Sequence, residues 1–269
     1  MTSNEKASNP PELSQLGQML EQVTIRSIDD VHDAAVALNE IARERGYRAA
    51  LSDDIASNEP MIDADGGILN AEIFGWMDDG ERWWEDHRLA LHSPLPRACR
   101  YKSEIFWCNA SGFYGHWPNH YLEDIDLQKY FAETSTSAAY IVVPMHLPFA
   151  QISASSFSPL DRTKDDLSDD FDEHGVLFGL LTRRFIAGYV ACRRKTQRIP
   201  SDCELSKREV ECLRWAAIGK TDKEVGMIIS LSHATVRYHI HRAGEKLDSV
   251  NRAQTIFKAG QLGYLGASD

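Results

Sequence analysis

The chain lacks the patterns that several function classes require. Its five cysteines, Cys99, Cys108, Cys192, Cys203 and Cys212, are odd in number and include no C-x-x-C pair, so neither a disulfide framework nor a zinc cage is expected. A reduced, cytoplasmic setting fits that pattern. No glycine-rich phosphate loop occurs, which argues against a doubly wound nucleotide fold. Ser153, Ser155 and Ser156 lack the G-x-S-x-G frame of a hydrolase elbow. His116 and His120 are four apart but flank Pro118, which disfavours the regular helix that would aim both at one metal. Glu85, Asp86 and His87 read as charged helix-face residues rather than as acid-base machinery. With no nucleophile, base and orienting group in evidence, neither an enzyme nor a metal or cofactor is expected. No apolar run reaches the length of a membrane span, and the polar start, residues 1–12, has no signal-peptide core. Those twelve residues read as a disordered tail, and no membrane partner is expected.

An excess of positive charge is also missing. The net charge of −11 would ordinarily speak against nucleic acid, but it is unevenly spread. Residues 203–269 hold ten Lys/Arg against eight Asp/Glu, a balance of +2 that leaves −13 for residues 1–202. The length of 269 residues suits one medium domain and one small one. The basic, Pro-containing stretch 193–203 reads as a linker between a front domain, 13–192, and a C-terminal domain, 204–269.

What is present is concentrated at the C-terminus. Ser206 stands three residues before Glu209, and Thr221 three before Glu224, two capping boxes that predict two helix starts. Val210, Leu213 and Ala216 recur at helical spacing in the first segment, as do Val225, Ile228 and Ile229 in the second. Ser230-Leu231-Ser232 supplies a turn and a third N-cap. The helix from His233 buries Val236, Ile240 and Ala243 and presents Arg237, Tyr238 and His241 on its other face. Those groups suit the major groove, where Arg can bond guanine bidentately. A fourth helix spans about Val250 to Leu262, with a stripe of Ala253, Ile256, Phe257 and Leu262.

The opening Leu205 with Arg208-Glu209, the Gly219-Lys220-Thr221 turn, Thr235-Val236 with His239, Lys246-Leu247 and Asn251-Arg252-Ala253 together resemble the LuxR-type DNA-binding domain through all four helices. The resemblance implies that Arg237, Tyr238 and His241 face bases and that Lys223, Thr235 and Lys246 lie near phosphates. It also implies a homodimer on an inverted repeat of double-stranded DNA. Gly226 stands where the family usually has Ala, which is expected to loosen that helix by up to about 1 kcal/mol.

In the front domain, Leu13 to Val23 reads as a helix, and a longer one opens at Ser27-Ile28-Asp29-Asp30 and ends near Gly46. Tyr47–Ser52 and Ala138–Met145 read as strands, with Phe149–Phe157 hairpin-paired to the latter, and a final helix runs from Phe171 to about Arg193. The expected fold is α+β: an α/β/α sandwich in front and a four-helix helix-turn-helix domain behind. Five of the six tryptophans, Trp76, Trp83, Trp84, Trp107 and Trp117, fall between residues 76 and 117. They could line a pocket for an apolar molecule or form a solid core.

This region is similar in layout to the acyl-homoserine-lactone-binding domain of LuxR-type receptors. That family places an aromatic pair, an Asp-Pro, a Trp, and a Gly before a strand Pro. Here Gly80 and Trp84 fall at the aromatic positions, Ser93-Pro94 replaces Asp-Pro, Trp107 sits within a residue of the expected Trp, and Tyr140 takes the Gly position before Pro144. The resemblance implies ligand contacts from Trp84, Ser93, Trp107 and Tyr140, with Ser153 and Ser155 taken alongside them. Ser should hold the ligand amide less strongly than Asp, and Tyr140 fills space that Gly leaves open. Three readings follow for the front domain: an ordinary lactone receptor, a receptor for another apolar molecule, or a ligand-independent dimerisation scaffold.

Overall fold

The structure is a computed structural model that describes residues 11–57, 59–77, 93–133, 135–193 and 204–266. It forms two compact units; among the described residues the first holds the sheet and six helices, the second four helices.

In the first unit α1 (Pro11–Gln22) begins two residues before the helix read from Leu13. Pro11 and Glu12 therefore leave the expected tail, whose remaining residues 1–10 lie outside the described ones. A 3-10 turn at Ile28–Asp30, boxed by Ser27, leads into α2 (Val31–Glu44), which buries Val31, Ala34, Ala35, Leu38, Ile41 and Ala42 at helical spacing. Then come β1 (Tyr47–Ser52), α3 (Leu69–Glu72), α4 (Pro94–Tyr101), β2 (Phe106–Asn109), β3 (Gly112–Tyr114), α5 (Gln128–Glu133), β4 (Ala139–His146), β5 (Ile152–Pro159) and α6 (Ser168–Arg193). The five strands form one sheet in the order β1-β5-β4-β2-β3, with every pair antiparallel. Residues Ala139 to Met145 of β4 are all buried, because both faces of this central strand are covered. On one face α2 packs against β1 and α6 against β2 and β4; α4 packs against β4 and β5 on the other. The sheet thus lies between two helical layers, as expected.

The helix α6 buries Phe171, Gly175, Phe178, Leu181, Phe185, Ile186 and Tyr189, and the Phe178 ring stacks on Phe157 of β5 at 4.1 Å. Among the described residues it is the one helix long and apolar enough to cross a membrane by length and composition, although no such run was evident in the sequence. Its buried residues pack on the sheet and neighbouring helices, while Val176 and Leu180 are exposed. Gly188 is required there, since a Cβ would stand 2.6 Å from the Ile25 carbonyl oxygen.

Two differences from expectation have local causes. The strand expected from Phe149 starts at Ile152, because Pro148–Ala150 form a 3-10 turn with Phe149 and Ala150 at φ of 67° and 58°. The β2–β3 hairpin and α4, none of them anticipated, are short and lack a periodic signature long enough to read.

The second unit comprises α7 (Lys207–Ala217), α8 (Asp222–Ile229), α9 (His233–Lys246) and α10 (Arg252–Gln261). Leu205, Cys212, Leu213, Val225, Val236, Ile240, Ala243, Leu247 and Ala259 form its core. Both capping boxes are made: Ser206 N–H donates to Glu209 Oε2 at 2.7 Å, and Thr221 N–H to Glu224 Oε2 at 2.8 Å. At the end of α7, Gly219 adopts φ of 96° while its N–H and that of Lys220 return to the carbonyls of Ala216 and Trp215. That closure turns the chain into α8.

The expectation for Gly226 is corrected. A Cβ there would lie 2.5 Å from the carbonyl oxygen of Leu231, so glycine permits the close approach of α8 to the following turn.

Candidate functional site

Helices α8 and α9 form the two limbs of the helix-turn-helix. Ser230 closes α8 in the left-handed region at φ of 57°, and Ser232 caps α9 by accepting from Thr235 N–H at 3.1 Å. With Val236, Ile240 and Ala243 buried, helical spacing puts Arg237, Tyr238 and His241 together on the opposite, exposed face. Tyr238 is 59% exposed and the Arg237 side chain 74%, which is a large outlay of reach and ring area on groups with little to pack against.

The other expected DNA contacts are placed unequally. Lys223 is exposed on α8. Thr235 is half-buried, its hydroxyl 2.8 Å from Ser232 Oγ. Lys246 faces inward, with its ammonium 2.9 Å from Glu209 Oε2 and 3.0 Å from the Glu204 carbonyl. Burial pushes the Glu209 carboxyl up, but the bonds from Lys246 and Ser206 outweigh it and hold the group below its ordinary value of 4.5. A second network went unread in the sequence. Asp222 accepts from Arg252 of α10 through Oδ1 and lies 3.4 Å from Arg237 Nε through Oδ2, while Arg252 also bonds the Lys220 carbonyl at 2.8 Å. The Asn251-Arg252 motif was visible, but its partner across thirty residues was not.

In the first unit the expected ligand residues do not converge. Trp107 pairs with Ile141, and Ile141 with Phe157, so all three face the α6 side, where Trp107 stacks on Tyr114 at 4.1 Å. Ser153 and Ser155 share that face by strand alternation with Phe157. Both are buried; Ser153 Oγ donates to the Ser52 carbonyl at 2.8 Å, and Ser155 Oγ has no partner among the described residues. Tyr140 lies on the opposite face, in a cluster with Phe106, Cys108, Leu122 and Ile125, its hydroxyl 3.0 Å from Ser135 Oγ. Ser93 stands at the N-cap position of α4 without a side-chain capping bond, and Ala98 and Cys99 of that helix join the cluster. Trp84 lies outside the described residues, as do Gly80, Trp83, Glu85, Asp86 and His87.

The remaining tryptophans also diverge. Trp76 is buried, donating from Nε1 to the Ala49 carbonyl at 2.7 Å beneath the Arg48 guanidinium, and Trp117 is exposed. An open cavity of about 780 Å³ is lined by Phe113, Tyr114, Trp117, Leu122, Ile125 and Leu127 among others. It adjoins the Tyr140 cluster, which includes Leu122, Ile125 and Leu127. No group of three or more His, Cys, Asp or Glu among the described residues could hold a metal.

Residues 204–259 match the family described as bacterial regulatory proteins, luxR family. The C-terminal unit belongs to the luxR family. Its relatives include the transcriptional activator protein PhzR of Pseudomonas fluorescens, 42% identical over 65 residues, which are 24% of this chain and 27% of that protein. The transcriptional activator protein AhyR of Aeromonas hydrophila is 30% identical over 125 residues, 46% of this chain and 47% of that one. The matches thus span between about a quarter and a half of these relatives' lengths. A crystal structure of SdiA from Escherichia coli aligns with 95% of this chain and 100% of its own, at a TM-score of 0.49 and 18% identity. In the luxR-family unit the capping boxes, the turn glycine and the exposed Arg237-Tyr238-His241 face coincide with what the sequence motifs anticipated.

Proposed function

We propose that the chain is a cytoplasmic transcriptional regulator that binds an inverted repeat of double-stranded DNA as a homodimer and places α9 in the major groove. The observation that carries this reading is the exposed Arg237-Tyr238-His241 face on a helix whose other side is locked into the core. Arg237 reads a base, Tyr238 and His241 contact base edges or phosphates, and Lys223 and Thr235 meet phosphates at the flank. A balance of only +2 over residues 203–269 gives a weak electrostatic term, so useful affinity depends on base readout and on pairing two modules.

The front unit controls the state of the dimer by taking an apolar small molecule in the cavity beside Trp117 and Phe113, a site whose walls differ from the Trp107, Ser153 and Ser155 set. Such control requires the effector to favour one arrangement over another by differential affinity. One observation favours a ligand-independent scaffold instead: Tyr140 is buried among aromatic and aliphatic side chains with its hydroxyl already bonded, so part of that face is filled by the protein itself.

Selection of bound DNA from a random pool, with and without candidate apolar ligands, tests both levels. Arg237→Ala should cost about 1–3 kcal/mol and relax one base position, whereas Lys223→Ala should weaken all sequences alike and lower the salt slope by about one. An unchanged motif with Arg237→Ala refutes the base-reading role.

A further inference from the structure

Asp222 sits where an acidic residue suits the helix but not a DNA backbone. It is the first residue of α8, next to the N-cap Thr221, where unpaired N–H groups and the helix dipole make a natural seat for a DNA phosphate. A carboxylate there repels that phosphate. It is held in place from behind: Arg252 bonds Oδ1 while also bonding the Lys220 carbonyl, and the Asp222 side chain is only 17% exposed. Its second oxygen faces Arg237 Nε at 3.4 Å. Among the described residues Arg237 has no further bond, which leaves Nη1 and Nη2 for the two acceptors of a guanine edge.

We propose that Asp222 is a specificity-determining positioning residue that holds the Arg237 guanidinium in the orientation needed for bidentate base contact, with Arg252 as its anchor. This rests on the reading of Arg237 as a base-contacting residue. A long, exposed Arg loses rotamer freedom when it binds, and a fixed carboxylate at Nε removes part of that loss for one geometry. The same charge lowers affinity for DNA in general, so Asp222 exchanges overall binding strength for discrimination.

The test uses the full-length protein with Asp222→Asn, which keeps an acceptor for Arg252 and removes the charge. Binding to the selected site and to single-base variants is measured across a salt series. Discrimination at the base read by Arg237 should fall roughly tenfold, while affinity for unrelated DNA rises and the salt dependence steepens. In the Arg237→Ala background, Asp222→Asn should cause no further loss at that base. Should Asp222→Asn lower the unfolding midpoint, Asp222→Glu keeps the charge and displaces it by one methylene; it should reduce discrimination without changing the salt slope. Equal strengthening of all sequences, with discrimination intact, overturns the proposal. If Arg237→Ala itself leaves the motif unchanged, the base-reading assignment fails first, and the two failures are distinguishable.

Discussion

At the scale of single residues, the ion pair between Glu209 and Lys246 separates a structural role from a DNA-contacting one. Glu209 is 5% exposed and its carboxylate takes bonds from the Lys246 ammonium and the Ser206 N–H. Lys246→Ala leaves a buried carboxylate without its countercharge and should cost about 3 kcal/mol, read from urea unfolding of the full chain. An unchanged midpoint with weakened DNA binding would return Lys246 to the phosphate backbone. The sign of the pH effect follows from the depressed pKa of Glu209. The unfolded group titrates near 4.5, so the stabilisation is complete above that pH and is lost as pH falls through the lower folded value. The stability gap between wild type and Glu209→Gln should therefore be widest at neutral pH and close in acid. Ser155 offers a second residue-level test. Its buried hydroxyl has no partner among the described residues, so Ser155→Ala should leave thermal stability unchanged or raise it by about 1 kcal/mol. A clear loss of stability would show that the hydroxyl is bonded after all.

At the scale of elements, all four helices of the luxR-family unit end in the same device, α8 doing so at Ser230 with the Leu231 N–H returning to Gly226. After α7, α9 and α10 the chain enters the left-handed region at Gly219, Asp248 and Gly263, and the next N–H returns to Trp215, Gly244 and Ala259. Ser230 and Asp248 lack the freedom of glycine, and at Asp248 the Lys258 ammonium supports the end of α9 by bonding the Leu247 carbonyl at 3.0 Å. Asp248→Gly should stabilise the unit by about 0.5 kcal/mol, relief of left-handed strain exceeding the added freedom of the unfolded chain. Gly226→Ala should do the opposite of what helix propensity predicts. The gain of up to about 1 kcal/mol from propensity is set against overpacking on the Leu231 carbonyl, about 1–3 kcal/mol, so a net loss is expected. Chemical denaturation of both variants measures this balance, and a more stable Gly226→Ala protein would show that the turn yields.

At the scale of the whole molecule, each unit has its own buried core, so the proposed sensing and DNA-binding roles fall on separately packed parts of the chain. We further propose that the homodimer pairs through the front unit, assisted by the exposed Phe257 of α10, which makes the second binding event intramolecular. Residues 204–269 alone should bind the inverted repeat far more weakly than the full chain at matched salt and protein concentration. Equal affinity would remove the front unit from dimerisation.

The sequence by itself determined the luxR-family unit, because there the determinants are local: Ser206 and Glu209, Thr221 and Glu224, and Gly219 each act within one helical turn of their partners. It also located α2, β1, β4 and α6, whose apolar periodicity runs long enough to be unambiguous. Strand parity was decided only by tertiary structure. Trp107, Ser153 and Ser155 were grouped with Tyr140, but alternation along β2 and β5 turns them to the opposite face, and a shift of one residue reverses every side chain of a strand. Composition cannot fix that parity when both faces are buried, since both then favour the same residue types. The role of Gly226 and the bond from Arg252 to Asp222 were hidden for a related reason. Each depends on how closely two segments approach in space, a distance that packing sets and local propensity does not encode.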